Sequence, residues 1–349
     1  MKFFFIFIVS IIIVSCSNNE PLKPEELYKK FEKSVVLIRH DYYYTIELKD
    51  GTNIYFSSIE NNEFVNLTFD EDEIVPSSIF GTGFFVSKEG LIATNKHITD
   101  PLPTDGNYNI DEMLKSYFQN NRQLYLNINN YLVDQINDYD SQIESGNLEE
   151  SEYNEYVDTR KSFYDSYLFW EDLEKSGFVF NDNNCFFSST QLKIGIAYNN
   201  TYSEDVNDFK DCVLKEEKTE NKYDLALLQL KDKTTPTFVK NILKIDESVK
   251  NNLKINTKIY MIGFNQGTEI GTTEDGLKNQ LTQGTVSQTP DNNKVLYSIP
   301  TLPGSSGSPI IDEWGNLVAI NFAGIENTQS FNYGILSKHL KKLIKSLTN

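Results

Sequence analysis

Two hydrophobic periods divide the chain. From 34 to 100, and again from about 190 to 335, short β-branched and aromatic runs stop at glycine or polar turns, the signature of strands. The first of these is Ser34–Ile38, and Asp50-Gly51 marks a hairpin in the block that follows. Gly81–Val86, Leu91–Thr94, Gln191–Ala197, Phe209–Leu214 and Asp224–Leu230 are further strand candidates, and 255–323 holds several more, punctuated by Gly263, Gly267, Gly271, Gly284 and Gly315. Between these blocks the period changes. Ile110, Met113, Leu114, Tyr117 and Phe118 fall at helical spacing, and Ile128, Tyr131, Leu132, Ile136, Tyr139 and Ile143 continue the stripe. After Ser145-Gly146-Asn147 it resumes with Tyr153, Tyr156, Val157, Phe163, Tyr164, Tyr167 and Leu168, so 110–175 is predicted to be two long amphipathic helices folded as a hairpin. A short charged helix over 25–31 opens the folded part, and Leu336–Leu347 closes it as an amphipathic helix. The predicted class is mainly β, with no internal repeat.

Composition narrows the partners. Among 349 residues, 32 Lys and Arg stand against 50 Asp and Glu, a net charge of −18 that repels a phosphate backbone and argues against nucleic acid. The span 101–180 alone contains 5 basic and 16 acidic side chains, a balance of −11. Cys16, Cys185 and Cys212 lie too far apart for a zinc site, and no metal or cofactor is expected. The cluster Asp70–Glu73 lacks the alternating ligand spacing of a calcium loop and is read as solvated.

The N-terminus has the order of an export signal. Met1-Lys2 is basic, Phe3–Val14 is apolar except for Ser10, and Ser15-Cys16 follows. The apolar run is too short for a bilayer core that takes about 20 residues. Ile13-Val14-Ser15-Cys16 resembles the lipobox of bacterial lipoproteins, which implies a signal peptide over 1–15, a lipid on Cys16 and a polar tether over 16–24. The expected place is then the bacterial cell envelope, on a membrane, with the side it faces left open. In such an oxidising compartment Cys185 and Cys212 are candidates for a disulfide. Two buried thiols are the alternative.

Three local sequences carry chemistry: Thr94-Asn95-Lys96-His97, Lys222-Tyr223-Asp224-Leu225-Ala226 and Pro303-Gly304-Ser305-Ser306-Gly307-Ser308-Pro309. Each alone is ordinary, as a histidine after a strand, an aspartate before one and a Gly-Ser loop. In the order His, Asp, Ser, each beside a predicted strand, they supply base, orienting group and nucleophile for acyl transfer. Gly81-Thr82-Gly83-Phe84 through His97, the strand at Asp224 and the Gly-Ser-Ser-Gly-Ser-Pro loop resemble the trypsin-like serine peptidases, notably the bacterial Deg/HtrA and glutamyl endopeptidase types. The resemblance covers about 25–100 and 190–340.

It implies two antiparallel β-barrels, the first over 25–238 with a helical-hairpin insertion at 105–178, the second over 239–335, then a helix over 336–349. It implies a serine endopeptidase with His97, Asp224 and Ser306 as catalytic residues, backbone N–H groups of Gly304 and Ser306 as oxyanion hole, and protein or peptide substrates. The nucleophile directly precedes Gly307 in this family, which selects Ser306 over Ser305 and Ser308, while a GxSxG elbow fails at Ser308. The primary pocket falls to Pro300–Leu302 and Asn321–Ala323, with Thr301, Asn321 and Ala323 as substrate-binding residues. No carboxylate stands there, so small or medium uncharged side chains are expected before the cut, with Glu at that same position as the runner-up. Thr301 matches the glutamyl type, but Asn321 replaces its histidine. Two departures stand out: 127 residues separate His97 from Asp224, and no peptide-binding PDZ module follows. The alternative is an inactive peptidase fold serving as a binding module on a surface lipoprotein.

Overall fold

The computed structural model describes residues 20–102, 108–203, 205–215, 223–243, 245, 253–324 and 331–347. Cys16 and the signal segment lie outside them. The strands are β1 (Val35–Leu48), β2 (Asn53–Phe56), β3 (Ser58–Glu60), β4 (Glu63–Val65), β5 (Ser77–Phe85), β6 (Leu91–Thr94), β7 (Cys185–Tyr198), β8 (Lys210–Leu214) and β9 (Ala226–Leu230) in the first half. The second half holds β10 (Lys258–Gly263), β11 (Thr272–Thr273), β12 (Gly276–Leu277), β13 (Gln280–Thr285), β14 (Lys294–Tyr297), β15 (Pro309–Asp312), β16 (Leu317–Gly324) and β17 (Asn332–Leu336). The helices are α1 (Pro24–Phe31), α2 (Lys96–Thr99), α3 (Ile110–Asn120), α4 (Arg122–Glu144), α5 (Glu150–Lys175), α6 (Thr268–Gly271) and α7 (Ser337–Ser346).

In the first half the order β1-β5-β6-β9-β8-β7 returns to β1 through a β1–β7 pairing, which closes a six-stranded barrel. In the second, the order β13-β10-β15-β16-β17-β14 is completed by a bridge between Val286 and Tyr297. Closure removes unpaired strand edges. The mainly β, two-barrel architecture expected from the sequence is the one observed.

Strand β1 explains how three cores meet. Its 14 residues are almost continuously buried, because both faces are covered. Val36 and Ile38 enter the interior of the first barrel, whereas Val35 and Leu37, on the other face, join a cluster shared with α1, α7 and the second barrel. A register shift at Asp41/Tyr42 then bends the strand, and Tyr42, Tyr44, Ile46 and Leu48 run on beyond the barrel against the helices.

There Leu114, Phe118, Tyr125, Trp170 and Leu173 cover them, so the apolar stripe of the insertion packs on an extension of the first barrel. The insertion has three helices where two were expected. Asn121 breaks the first, its side-chain amide and backbone N–H both donating to the Tyr117 carbonyl. The apolar stripe runs through the break, which is why periodicity missed it.

The disulfide is not formed. Cys185 starts β7, facing Leu48, whereas Cys212 sits in β8, one residue past the Gly195–Asp211 pair. About ten residues of strand, roughly 33 Å at 3.3 Å each, separate those levels, far beyond the reach of a disulfide. Both thiols are free. Burial pushes each up to about 12, aided by Asp111 beside Cys185 and Asp211 beside Cys212, so both stay protonated.

Candidate active site

The register of one strand pair brings His97 and Asp224 together. Thr94, the last residue of β6, lies opposite Ala226, the first of the antiparallel β9. Three residues beyond one and two before the other, the side chains meet although 127 positions apart. The backbone N–H of His97 donates to Asp224 Oδ1 at 2.9 Å, and Nδ1 lies 2.6 Å from Oδ2. A carboxylate oxygen only accepts, so Nδ1 carries a proton, and in the neutral imidazole the lone pair is on Nε2. Asn95, fully buried, donates its amide to the Asp224 carbonyl at 2.7 Å. Asp224 is thus fixed at both backbone and side chain.

The serine loop arrives from the second barrel and is seated on Thr82 of β5. The Thr82 N–H donates to the Ser306 carbonyl at 2.8 Å, and its hydroxyl donates to the Gly304 carbonyl at 2.8 Å. That hydroxyl also accepts the Phe264 N–H at 3.0 Å, and the Thr82 carbonyl accepts the Thr94 hydroxyl at 2.8 Å. One buried residue therefore joins the loop, the residue after β10 and, through its carbonyl, the strand leading to His97. Gly307 has a positive φ of 86°, and a Cβ there would lie 2.0 Å from the Thr82 carbonyl oxygen. Only glycine permits so close an approach.

Among the loop's three hydroxyls, two are committed to the interior. Ser305 is buried and donates to the Leu302 carbonyl at 2.6 Å; Ser308 is wholly buried. Ser306 alone is partly exposed. The backbone N–H groups of Gly304 and Ser306 donate to no partner among the described residues, whereas Ser305, Gly307 and Ser308 all donate within the fold. Two unpaired donors beside a hydroxyl are what a developing oxyanion needs.

Next to Ser306 lies a pocket of about 240 Å³ lined by Thr301, Leu302, Pro303, Ser305, Asn321 and Phe322. Its polar groups are already used. Asn321 accepts from the Tyr297 hydroxyl at 2.5 Å and donates to the Ser305 carbonyl at 2.9 Å; the Thr301 hydroxyl donates to Asn332 at 2.8 Å. The Ala323 side chain lies outside the described residues. Thr82, Thr94 and Asn95 stood inside the quoted motifs but were given no role, although a threonine between Gly81 and Gly83 in an apolar strand was a visible anomaly.

A family model for a trypsin-like peptidase domain matches residues 176–320. The match starts one residue after α5 and takes in Asp224 and Ser306. The fold is of the trypsin-like serine peptidase type. Similar solved structures include the serine endoprotease from Yersinia pestis, at 14% identity over 94% of this chain and 67% of that one, with a TM-score of 0.43. Another is the HtrA-type protease AlgW with a decapeptide, at 13% identity over 94% and 68%, with a TM-score of 0.44. No curated protein matches in sequence. His97 lies N-terminal to the matched span, on the other side of the helices α3, α4 and α5.

Proposed function

We propose that this chain is an exported, lipid-anchored serine endopeptidase of the bacterial cell envelope, cleaving peptide bonds through an acyl-enzyme. The double contact of His97 with Asp224 carries the reading. It presents Nε2 as base, so that Ser306 Oγ attacks the scissile carbonyl while its proton passes to Nε2. The Asp224 carboxylate offsets the imidazolium charge. The N–H groups of Gly304 and Ser306 take the oxyanion, and the tetrahedral adduct collapses as Nε2 returns the proton to the leaving amine. Water repeats the sequence on the acyl-enzyme and restores Ser306.

In the adjoining pocket, committed amides and hydroxyls and the absence of a carboxylate among the described lining favour small or medium uncharged side chains. The lipobox-like Cys16 supports the anchor. A fluorophosphonate probe should label the purified protein, with labelling and peptide turnover abolished in Ser306→Ala and His97→Ala at unchanged circular dichroism. Peptide turnover by Ser306→Ala equal to the parent's overturns the reading, and a parent that is neither labelled nor active leaves the binding-module alternative.

A further inference from the structure

At the ends of β6 and β15 remote from His97 and Ser306, the molecule has a second cleft, of about 960 Å³. Its walls come from α1, the β5–β6 turn, the segment joining the barrels, the β15–β16 turn and α7. Val86, Leu243 and Ile344 form an apolar floor. Around them stand Lys30, Lys88, Lys240, Lys341 and Lys345, against Glu89 as the one acidic residue among the described lining. In a chain of net charge −18 this is an inverted patch, and α7 itself carries four lysines and no acid. Trp314 sits at its edge with 45% of its surface exposed. An exposed indole beside lysines with long apolar stems is the composition of a membrane–water interface.

The chain's own course fixes where this cleft sits relative to the N-terminal segment. Leu22 donates its N–H to the Glu313 carbonyl at 2.7 Å, directly beside Trp314. From Leu22 to Cys16 is six residues, at most about 20 Å even fully extended. A membrane reached through Cys16 is therefore within contact distance of the lysine-rimmed face.

We propose that this cleft docks on an anionic lipid surface, with the lysines on phosphate headgroups and Trp314 at the acyl boundary. This extends the membrane attachment proposed above, adding an orientation to it. With the far ends of β6 and β15 on the lipid, His97 and Ser306 face away from the bilayer.

The test uses the whole protein on vesicles of phosphatidylcholine with brominated chains, with and without about 30% phosphatidylglycerol. Trp170, wholly buried beneath the helices, is the internal control. Docking gives Trp314 quenching on anionic vesicles that disappears at about 1 M salt, where the screening length is about 3 Å. Lys88→Glu/Lys240→Glu/Lys345→Glu should reduce that quenching more than tenfold, since each lysine near such a surface is worth roughly fivefold in association. Equal quenching on neutral and anionic vesicles, insensitivity to salt, or a triple variant like the parent overturns the proposal. So does an unquenched Trp314 in protein that sediments with both vesicles, although the anchor then stands. Sedimentation with anionic vesicles only, with Trp314 quenched, upholds the face and refutes the anchor.

Discussion

Replacing Thr82 by valine keeps the shape of the side chain and exchanges its hydroxyl for a methyl group. The native hydroxyl donates to the Gly304 carbonyl at 2.8 Å and accepts the Phe264 N–H at 3.0 Å, in a residue with no exposed surface. Valine orphans both backbone groups, at about 1–3 kcal/mol each. A loss of about 3 kcal/mol in unfolding free energy is expected, the lower half of the summed range, because the serine loop reaches the surface and its carbonyl can take a water. Thr82→Ser keeps the hydroxyl and loses one buried methyl, worth about 1 kcal/mol. The two variants therefore separate the hydrogen bonds from the packing. Because Gly304 carries one of the proposed oxyanion donors, kcat should drop about 10²-fold in Thr82→Val, the size of a lost oxyanion donor. Thr82→Ser should stay within a few-fold of the parent. Urea unfolding followed by tryptophan emission, beside initial rates on a peptide ester, measures both. Equal stability and rates in the two variants would refute the idea that Thr82 holds the loop.

Gly307→Ala puts a Cβ 2.0 Å from the Thr82 carbonyl and should abolish probe labelling while α3–α5 keep their helical circular dichroism. A peptide library should show little cleavage after Lys or Arg, since Thr301 and Asn321 offer no carboxylate; preferential cleavage after either removes the pocket assignment. His40 donates Nδ1–H to the Ile98 carbonyl at 2.9 Å, its Nε2 is buried without a described partner, and burial holds its pKa below the ordinary value. The unfolded chain thus binds the proton more readily, so stability from His40 is complete above about pH 6.5 and is lost as pH falls from there through the lowered folded value. His339 is shifted the same way, so His40→Gln should flatten only part of the acid limb of a stability profile. Trimming the hairpin tip between Ile136 and Arg160 should leave peptide turnover intact and change which proteins are cut, through loss of acidic surface; an unchanged protein profile reduces the tip to a spacer. Removing 105–178 entirely should instead cause aggregation, because Tyr42, Tyr44, Ile46 and Phe56 lose their cover.

Strand and helix periods were enough to separate barrel segments from the insertion, because buried faces repeat every two or 3.6 residues whatever they pack against. The contact of His97 with Asp224 was legible for a related reason: each stands beside the end of a strand, and β6 pairs with β9. Thr82 was not, since its partners Gly304 and Phe264 are 222 and 182 positions away and only the docking of two barrels joins them. The same applies to Asn321, whose side chain proves to be held by Tyr297 and Ser305. The Cys185–Cys212 pairing failed because proximity to strands says nothing of level along them, and strand level is what separates those thiols.

The pairing of β1 with β7 governs when the first barrel closes. Leu48 meets Cys185 across 137 residues, and Thr94 meets Ala226 across 132. Loop closure costs only about 0.6 kcal/mol per doubling of length, so prior folding of the helices gains little by shortening the connection. Their gain is a surface: once the hairpin has formed, Leu114, Phe118 and Trp170 give the far half of β1 something to pack on. Local helices form in about a microsecond, long-range strand pairs far more slowly. Pulsed hydrogen exchange should find amides of α4 and α5 protected before those of β6 and β9; the reverse order would refute this sequence of events. Asp224 reaches His97 only after β9 has found β6, and Ser306 is seated only after the second barrel docks. The groups proposed for catalysis therefore come together late, after the helices have formed and the strands of both barrels have paired.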